Sequence, residues 1–185
     1  RYYTNITVDS GKRAYANGYL TDVVDNGDQT QTFRWTMDDP IPTYLASVAI
    51  ANYEEVTMNV DGIPVLLTSL AVDTANLRKS FVNLPTCIRR FEEVYGKHSF
   101  DRIGFNTVPF NSGAMEHATN IAYPRYAISA GDKSSETLYA HELAHHWWGN
   151  TITCKTQEDM WLNEGWASYS ERIFLEAVYG RERYD

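Results

Sequence analysis

SSETLYAHELAHHWWGN, Ser134 to Asn150, is an apolar helical run that carries His141, Glu142 and His145 and ends near a glycine. Helical residues four apart differ by about 40° of rotation, so the two histidines project from one face, one turn apart. Both imidazoles then reach a single ion at the ~2.0–2.1 Å that zinc–nitrogen bonds need. Glu142 follows His141 directly and points beside such an ion, where a carboxylate can hold a water and take its proton. The alternative for HExxH standing alone is a histidine-bearing core or surface helix. Zinc needs a third protein ligand, and a catalytic site leaves the fourth position open.

Working downstream, Trp161-Leu162-Asn163-Glu164-Gly165-Trp166 offers that ligand in Glu164, with eighteen residues between it and His145. This is room for the first helix, over about 135–148, to end at Gly149 and for a short strand at 151–154 to pass. A second helix over about 157–179 would then return antiparallel. Thr156 and Asp159 stand as a capping box for it, and Gly180 as its stop. Gly165 inside a helix costs ~1 kcal/mol against alanine and predicts a close backbone approach. Glu171, two turns beyond Glu164, is placed either to fix the tautomer of a ligand histidine or to face solvent.

Upstream, the chain reads as all-β to about residue 70. Strands are expected at Tyr2–Val8, Thr30–Trp35 and Tyr44–Ile50, with turn signals at Asp9-Ser10-Gly11, Asp25-Asn26-Gly27-Asp28 and Asp38-Asp39-Pro40. A sheet that starts on its first residues fits a piece trimmed from something longer. From about 71, Asp73 or Thr74 can cap a helix running through Leu77, Phe81, Leu84, Ile88, Phe91 and Val94 to Gly96. Pro85 either kinks it or marks the first turn of a second helix. Arg102–Phe110 and Asn120–Ile128 are expected as further strands. The fold class is therefore α+β.

The net charge of −8 argues against a nucleic-acid partner, which normally needs a basic patch. No window has the unbroken apolar length of a membrane span and no basic-then-apolar leader opens the chain, so a soluble piece is expected, with cytoplasmic and exported locations equally open. Cys87 and Cys154 are either free or one disulfide. Asn5-Ile6-Thr7 fits a glycosylation sequon that matters only in a secretory setting.

HELAHHWWGN, with eighteen residues between its His145 and the Glu164 of WLNEGWASYSE, resembles the aminopeptidase N family of gluzincin zinc peptidases, which includes a leukotriene-hydrolase branch. Ser112-Gly113-Ala114-Met115-Glu116-His117 resembles that family's GAMEN element, with His117 where asparagine is usual. PIPTYLASVAI, Pro40 to Ile50, is similar to the last strands of its β-saddle domain. The resemblance implies the C-terminal part of an all-β saddle domain at 1–70, then the first half of a thermolysin-like zinc peptidase domain at 71–185. It implies one zinc per chain on His141, His145 and Glu164, Glu142 as general base, and peptide substrates with a free N-terminus. Glu116 would bind the free α-amino group, and Gly113, Ala114 and Met115 would lie along the substrate as an edge strand. The family's transition-state tyrosine lies several dozen residues beyond the zinc glutamate, and Tyr169, Tyr179 and Tyr184 do not correspond to it, which implies little activity for this piece alone. A thermolysin-type endopeptidase shares HExxH and the distant glutamate, but an anchor for a free amine argues against it. A catalytically inactive zinc-binding module is the reading from another class.

Overall fold

A computed structural model describes residues 1–181. Four strands open the chain: β1 (Tyr2–Asp9), β2 (Arg13–Ala16), β3 (Tyr19–Asp25) and β4 (Thr30–Met37). β1, β4 and β3 form an antiparallel sheet in that order, and β2 pairs with β5 (Val48–Ala51). The alternation of the sequence sends Val8, Phe33 and Trp35 inward beside Ala14 and Tyr15. The Trp35 indole N–H donates to the Ala14 carbonyl at 3.0 Å, so its one polar atom is satisfied.

The strand expected over Tyr44–Ile50 is shorter than that. Pro42 starts a 3-10 turn over Thr43–Leu45, and extended structure begins only at Val48. The turn drops Leu45, fully buried, among Met37, Ile41, Phe100 and Ala118. Burial of that side chain outweighs the extended pattern around it.

β6 (Tyr53–Val60) and β7 (Ile63–Leu70) form a hairpin around Asp61-Gly62. Both turn residues have positive φ, 51° and 98°, the geometry whose twist matches the flanking strands. β7 pairs parallel with β8 (Ile103–Val108), and β8 with β9 (Ile121–Pro124), giving the order β6-β7-β8-β9. The boundary expected at residue 70 thus does not coincide with a break in the sheet, which takes strands from both sides of it.

The crossover from β7 to β8 is two helices, α1 (Thr74–Ser80) and α2 (Leu84–Tyr95). Pro85 lies in the first turn of α2, where its missing N–H costs nothing. Phe81, at the corner between them, packs on Phe105 and Tyr123 of the sheet, both at 5.1 Å, and stacks on Tyr139 at 4.8 Å. The run Asn120–Ile128 is strand only to Pro124; Arg125–Ile128 is a 3-10 turn, fixed by an ion pair of 2.6 Å between Arg125 and Asp73.

Tyr139 belongs to α3 (Glu136–Ala144), which packs against α4 (Trp161–Tyr179). The two share a core with Leu77, Leu84, Ile88, Phe91 and Ile103. Cys87 is free and buried in that core, and Cys154 is free as well. Among the described residues no helix is long and apolar enough to cross a membrane.

Candidate metal centre and cleft

α3 stops at Ala144, four residues before the expected end, and His145 is its C-cap in helical conformation. The N–H groups of His146 and Trp147 bond three residues back, to Leu143 and Ala144, which tightens the last turn. The chain then curls back so that Gly149 N–H reaches the Ile152 carbonyl at 2.7 Å. The strand expected at 151–154 is reduced by this curl to a single bridge, Trp148 to Ile152. Gly149, at φ 136°, sits where a Cβ would lie 3.2 Å from His145 Nδ1. The Thr156 hydroxyl donates to the Asp159 carboxylate at 2.9 Å instead of capping a backbone N–H, so the expected capping box does not form. Gly180, at φ 81°, closes α4 as expected.

The curl places the Trp148 carbonyl 2.9 Å from His145 Nδ1. A carbonyl only accepts, so Nδ1 carries the hydrogen and Nε2 is left with its lone pair. Glu171 Oε1 does the same for His141 Nδ1 at 2.9 Å. Glu164, in the first turn of α4, meets both free nitrogens, at 3.2 Å from His141 Nε2 and 3.7 Å from His145 Nε2. One donor atom from each of the three lies within 4.8 Å of the others. Two imidazole nitrogens and a carboxylate oxygen, with a side left open, are a donor set that fits a zinc ion.

The electrostatics point the same way. Burial lowers the His141 pKa, yet the Glu171 hydrogen bond and the charges of Glu142, Glu171 and Glu164 overcome it and the net shift is upward. Burial pushes Glu142 up to about 8, with Glu116, Glu164 and Glu171 adding and His141 opposing. Glu142 is 5% exposed and its Oε2 has no hydrogen-bond partner among the described residues, an orphan of the kind that calls for a ligand, a water or a chemical role.

Glu116, also buried, faces this pair: Glu116, Glu142 and His145 each bring one donor atom within 4.8 Å of the others. Met115 pairs with Ala122 on the outer edge of β9, giving and accepting one backbone bond at 3.0 and 2.9 Å. Its backbone is therefore already engaged, and of the expected edge strand Gly113 and Ala114 line the cleft beside Glu116. The cleft, ≈ 340 Å³, is further bounded by Thr137, Leu138, His141, Glu142, His145, Glu164 and Glu171.

Gly165 departs from expectation, because a Cβ there would meet nothing within 4 Å among the described residues. It faces outward between Trp161, Leu162, Trp166 and Tyr169. Trp166 stacks on Trp148 at 4.8 Å and 18°, pinning α4 to the curl after α3. Tyr169 is exposed on the outer face and the Tyr179 hydroxyl bonds the buried Glu136; Tyr184 lies outside the described residues. His117 is partly buried, and its Nδ1 has no hydrogen-bond partner among the described residues.

Several contacts that hold the site were not read from the sequence. Asn150 Nδ2 donates to the Glu116 carbonyl at 2.9 Å. Thr119 N–H points at His146 Nε2 at 3.4 Å, His146 Nδ1 meets His98 Nε2 at 2.8 Å, and His98 Nδ1 meets the Phe100 carbonyl at 3.1 Å. The ends of this chain are a pure donor and a pure acceptor, which fixes the tautomer of both histidines. Asn150 stands in the quoted motif, but its partner lies 34 residues upstream and no local spacing announces it.

A histidine pair on one helix and a glutamate on the next, beside a mixed sheet, is the arrangement of HExxH metallopeptidase sites. The family model "Peptidase family M1 domain" matches residues 77–185, more than half of the chain. The chain is 30% identical over 184 residues to leucine aminopeptidase 2 of Vanderwaltozyma polyspora, covering 95% of this chain and 27% of that protein. An M1 zinc metallopeptidase variant bound to L-tryptophan superposes with a TM-score of 0.81 at 23% identity, over 95% of this chain and 40% of that one. Another, from Deinococcus radiodurans and bound to a Tyr-Ser-Ala substrate, gives 0.79 at 22%, over 96% and 40%. The chain belongs to peptidase family M1. It spans about a quarter of the length of the curated relatives it matches.

Proposed function

We propose that this chain carries the metal and amine-binding half of a zinc aminopeptidase site that hydrolyses the N-terminal bond of peptides. The observation that carries the reading is the facing of two buried carboxylates, Glu142 and Glu116, across His145, beside the converged donors of His141, His145 and Glu164. One zinc on those three donors would supply the Lewis acidity that polarises a scissile carbonyl and acidifies water. Glu142 takes a proton from water as its oxygen attacks the carbonyl carbon, then delivers that proton to the departing amine nitrogen as the C–N bond breaks. Its carboxyl, raised to about 8 in the bare site, ionises at lower pH beside a dication. Glu116 receives the substrate's ammonium group through a charge-assisted hydrogen bond, because an ammonium taken out of water needs a carboxylate partner to offset its desolvation. Gly113 and Ala114 lie along the substrate, and Met115 shapes the edge through its bond to β9.

Relatives named aminopeptidases and a neighbour bound to a tripeptide support peptide substrates. Among the described residues no tyrosine lines the cleft. An oxyanion donor is worth ~10²–10³ in kcat, so the isolated chain should turn over that much more slowly than a longer one that supplies it. The test compares free with N-acetylated peptides on the zinc-loaded full-length protein. Glu142→Gln should keep zinc and lose ~10²–10⁴-fold in turnover, whereas Glu116→Ala should raise KM for free-amine substrates only. Equal cleavage of blocked and free peptides would replace this reading with the endopeptidase one.

A further inference from the structure

The turn that carries Glu116 is held in a conformation its own residues do not favour. Thr119 is β-branched yet sits at φ 60°, a left-handed conformation that costs such residues of order 1–3 kcal/mol. Strain of this size persists only where the surroundings over-determine it. Here the surroundings are the turn after β2, in the N-terminal sheets. Gly18 N–H donates to Thr119 Oγ1 at 2.7 Å, and Asn17 Nδ2 donates to the Ala118 carbonyl at 2.6 Å. Asn17 itself is locked, since Nδ2 also reaches the Leu45 carbonyl at 2.9 Å and Oδ1 accepts from Ser47 N–H at 2.8 Å. Gly18 must be glycine: at φ 81°, a Cβ would lie 1.9 Å from the Thr36 carbonyl oxygen. The buried Arg102 guanidinium grips the carbonyls of Ala16 and Gly18 from behind, at 2.8 and 2.5 Å. From the opposite side His146 faces the Thr119 N–H, and Asn150 holds the Glu116 carbonyl.

We propose that Asn17 and Thr119 are positioning residues through which the N-terminal sheets aim Glu116 at the substrate's amino group. The inference rests on the reading of Glu116 as the amine anchor. It makes discrimination between free and blocked N-termini a property of two modules, with the metal donors on one and the aim of the anchor set by the other. A purely structural contact would instead change melting and zinc affinity while leaving the choice between ligands alone.

Thr119→Val keeps the shape and the strained φ but removes the acceptor from Gly18 N–H; Thr119→Ser keeps the oxygen. Asn17→Asp keeps the acceptor for Ser47 and turns the donor facing two carbonyls into an acceptor. The probes are L-tryptophan and N-acetyl-L-tryptophan, titrated calorimetrically into the zinc-loaded chain. Thr119→Val and Asn17→Asp should each lose ~10-fold or more in L-tryptophan affinity, as small misplacements of a charge partner do. Affinity for the acetylated probe and for zinc should change less than about twofold, and Thr119→Ser should restore most of the preference. Should Thr119→Val fail to fold, Thr119→Gly removes the same oxygen while relieving the strain, and the same loss is expected. Wild-type preference in these variants, or equal loss of both probes and zinc, overturns the proposal. Glu116→Gln with unaltered preference, or a wild type without one, overturns the anchor reading itself and this inference with it.

Discussion

A histidine that is to donate its Nε2 lone pair needs its other nitrogen occupied, and His141 and His145 meet that need differently. His145 uses a carbonyl three residues further along the chain in the curl after α3, whereas His141 depends on a side chain, Glu171. Only the second can be altered without disturbing backbone. Glu171→Gln should lower zinc affinity ~10–100-fold, the usual effect of removing a partner behind a ligand, with the melting profile of the metal-free chain little changed; competition with a chromogenic chelator measures it. The shared direction of His141 and His145, and that of Glu164 and Glu171, was legible because 3.6-residue periodicity fixes relative direction on a helix. The Trp148 carbonyl was not, because it reaches His145 only after the helix has ended, and helix ends are set by tertiary contacts. Glu116 came through resemblance alone, since nothing in its local pattern distinguishes it from other loop carboxylates.

Among the elements, α3 is positioned less by its own amphipathicity than by the aromatic corner at Phe81. That ring touches two strands and α3 together and is 1% exposed. Phe81→Ala should destabilise the chain by about 3–5 kcal/mol, and near-ultraviolet ellipticity and zinc affinity should fall together, because the helix bearing two donors loses its seat. Urea unfolding with and without zinc separates the two contributions. Long periodic segments such as β1, β4, α2 and α4 were readable for the same reason that they are stable: each repeats one burial pattern over many residues. The short runs at Tyr44–Ile50, Asn120–Ile128 and Thr151–Cys154 were misread where a proline, an ion pair or a backbone curl decided instead.

At the scale of the molecule, the region behind the cleft keeps a histidine, His98, that cannot easily charge. Burial holds His98 down to about 4, against the Phe100 carbonyl and Glu92, which raise it. A histidine in the unfolded chain titrates near 6.5. Between those values the unfolded state binds a proton that the folded state refuses, so stability falls as pH drops below about 6.5, and the loss is complete below about 4. The loss from this group is at most ~3 kcal/mol. Denaturant midpoints at pH 7 and pH 5 should therefore diverge more for the wild type than for His98→Gln; equal divergence would remove His98 from the account.

The stacked indoles of Trp148 and Trp166 give the molecule an optical signature of its own. Two indoles 4.8 Å apart couple their transitions, and where the moments within the two rings are skewed to one another the ultraviolet circular dichroism should split into a couplet of opposite signs. One indole rides on the curl that sets the His145 tautomer and the other on the helix that bears Glu164, so the couplet is a ruler between the two halves of the donor set. Chelation that leaves its amplitude unchanged would mean a site already built before any ion arrives, and a couplet that grows with added zinc would mean one completed by it.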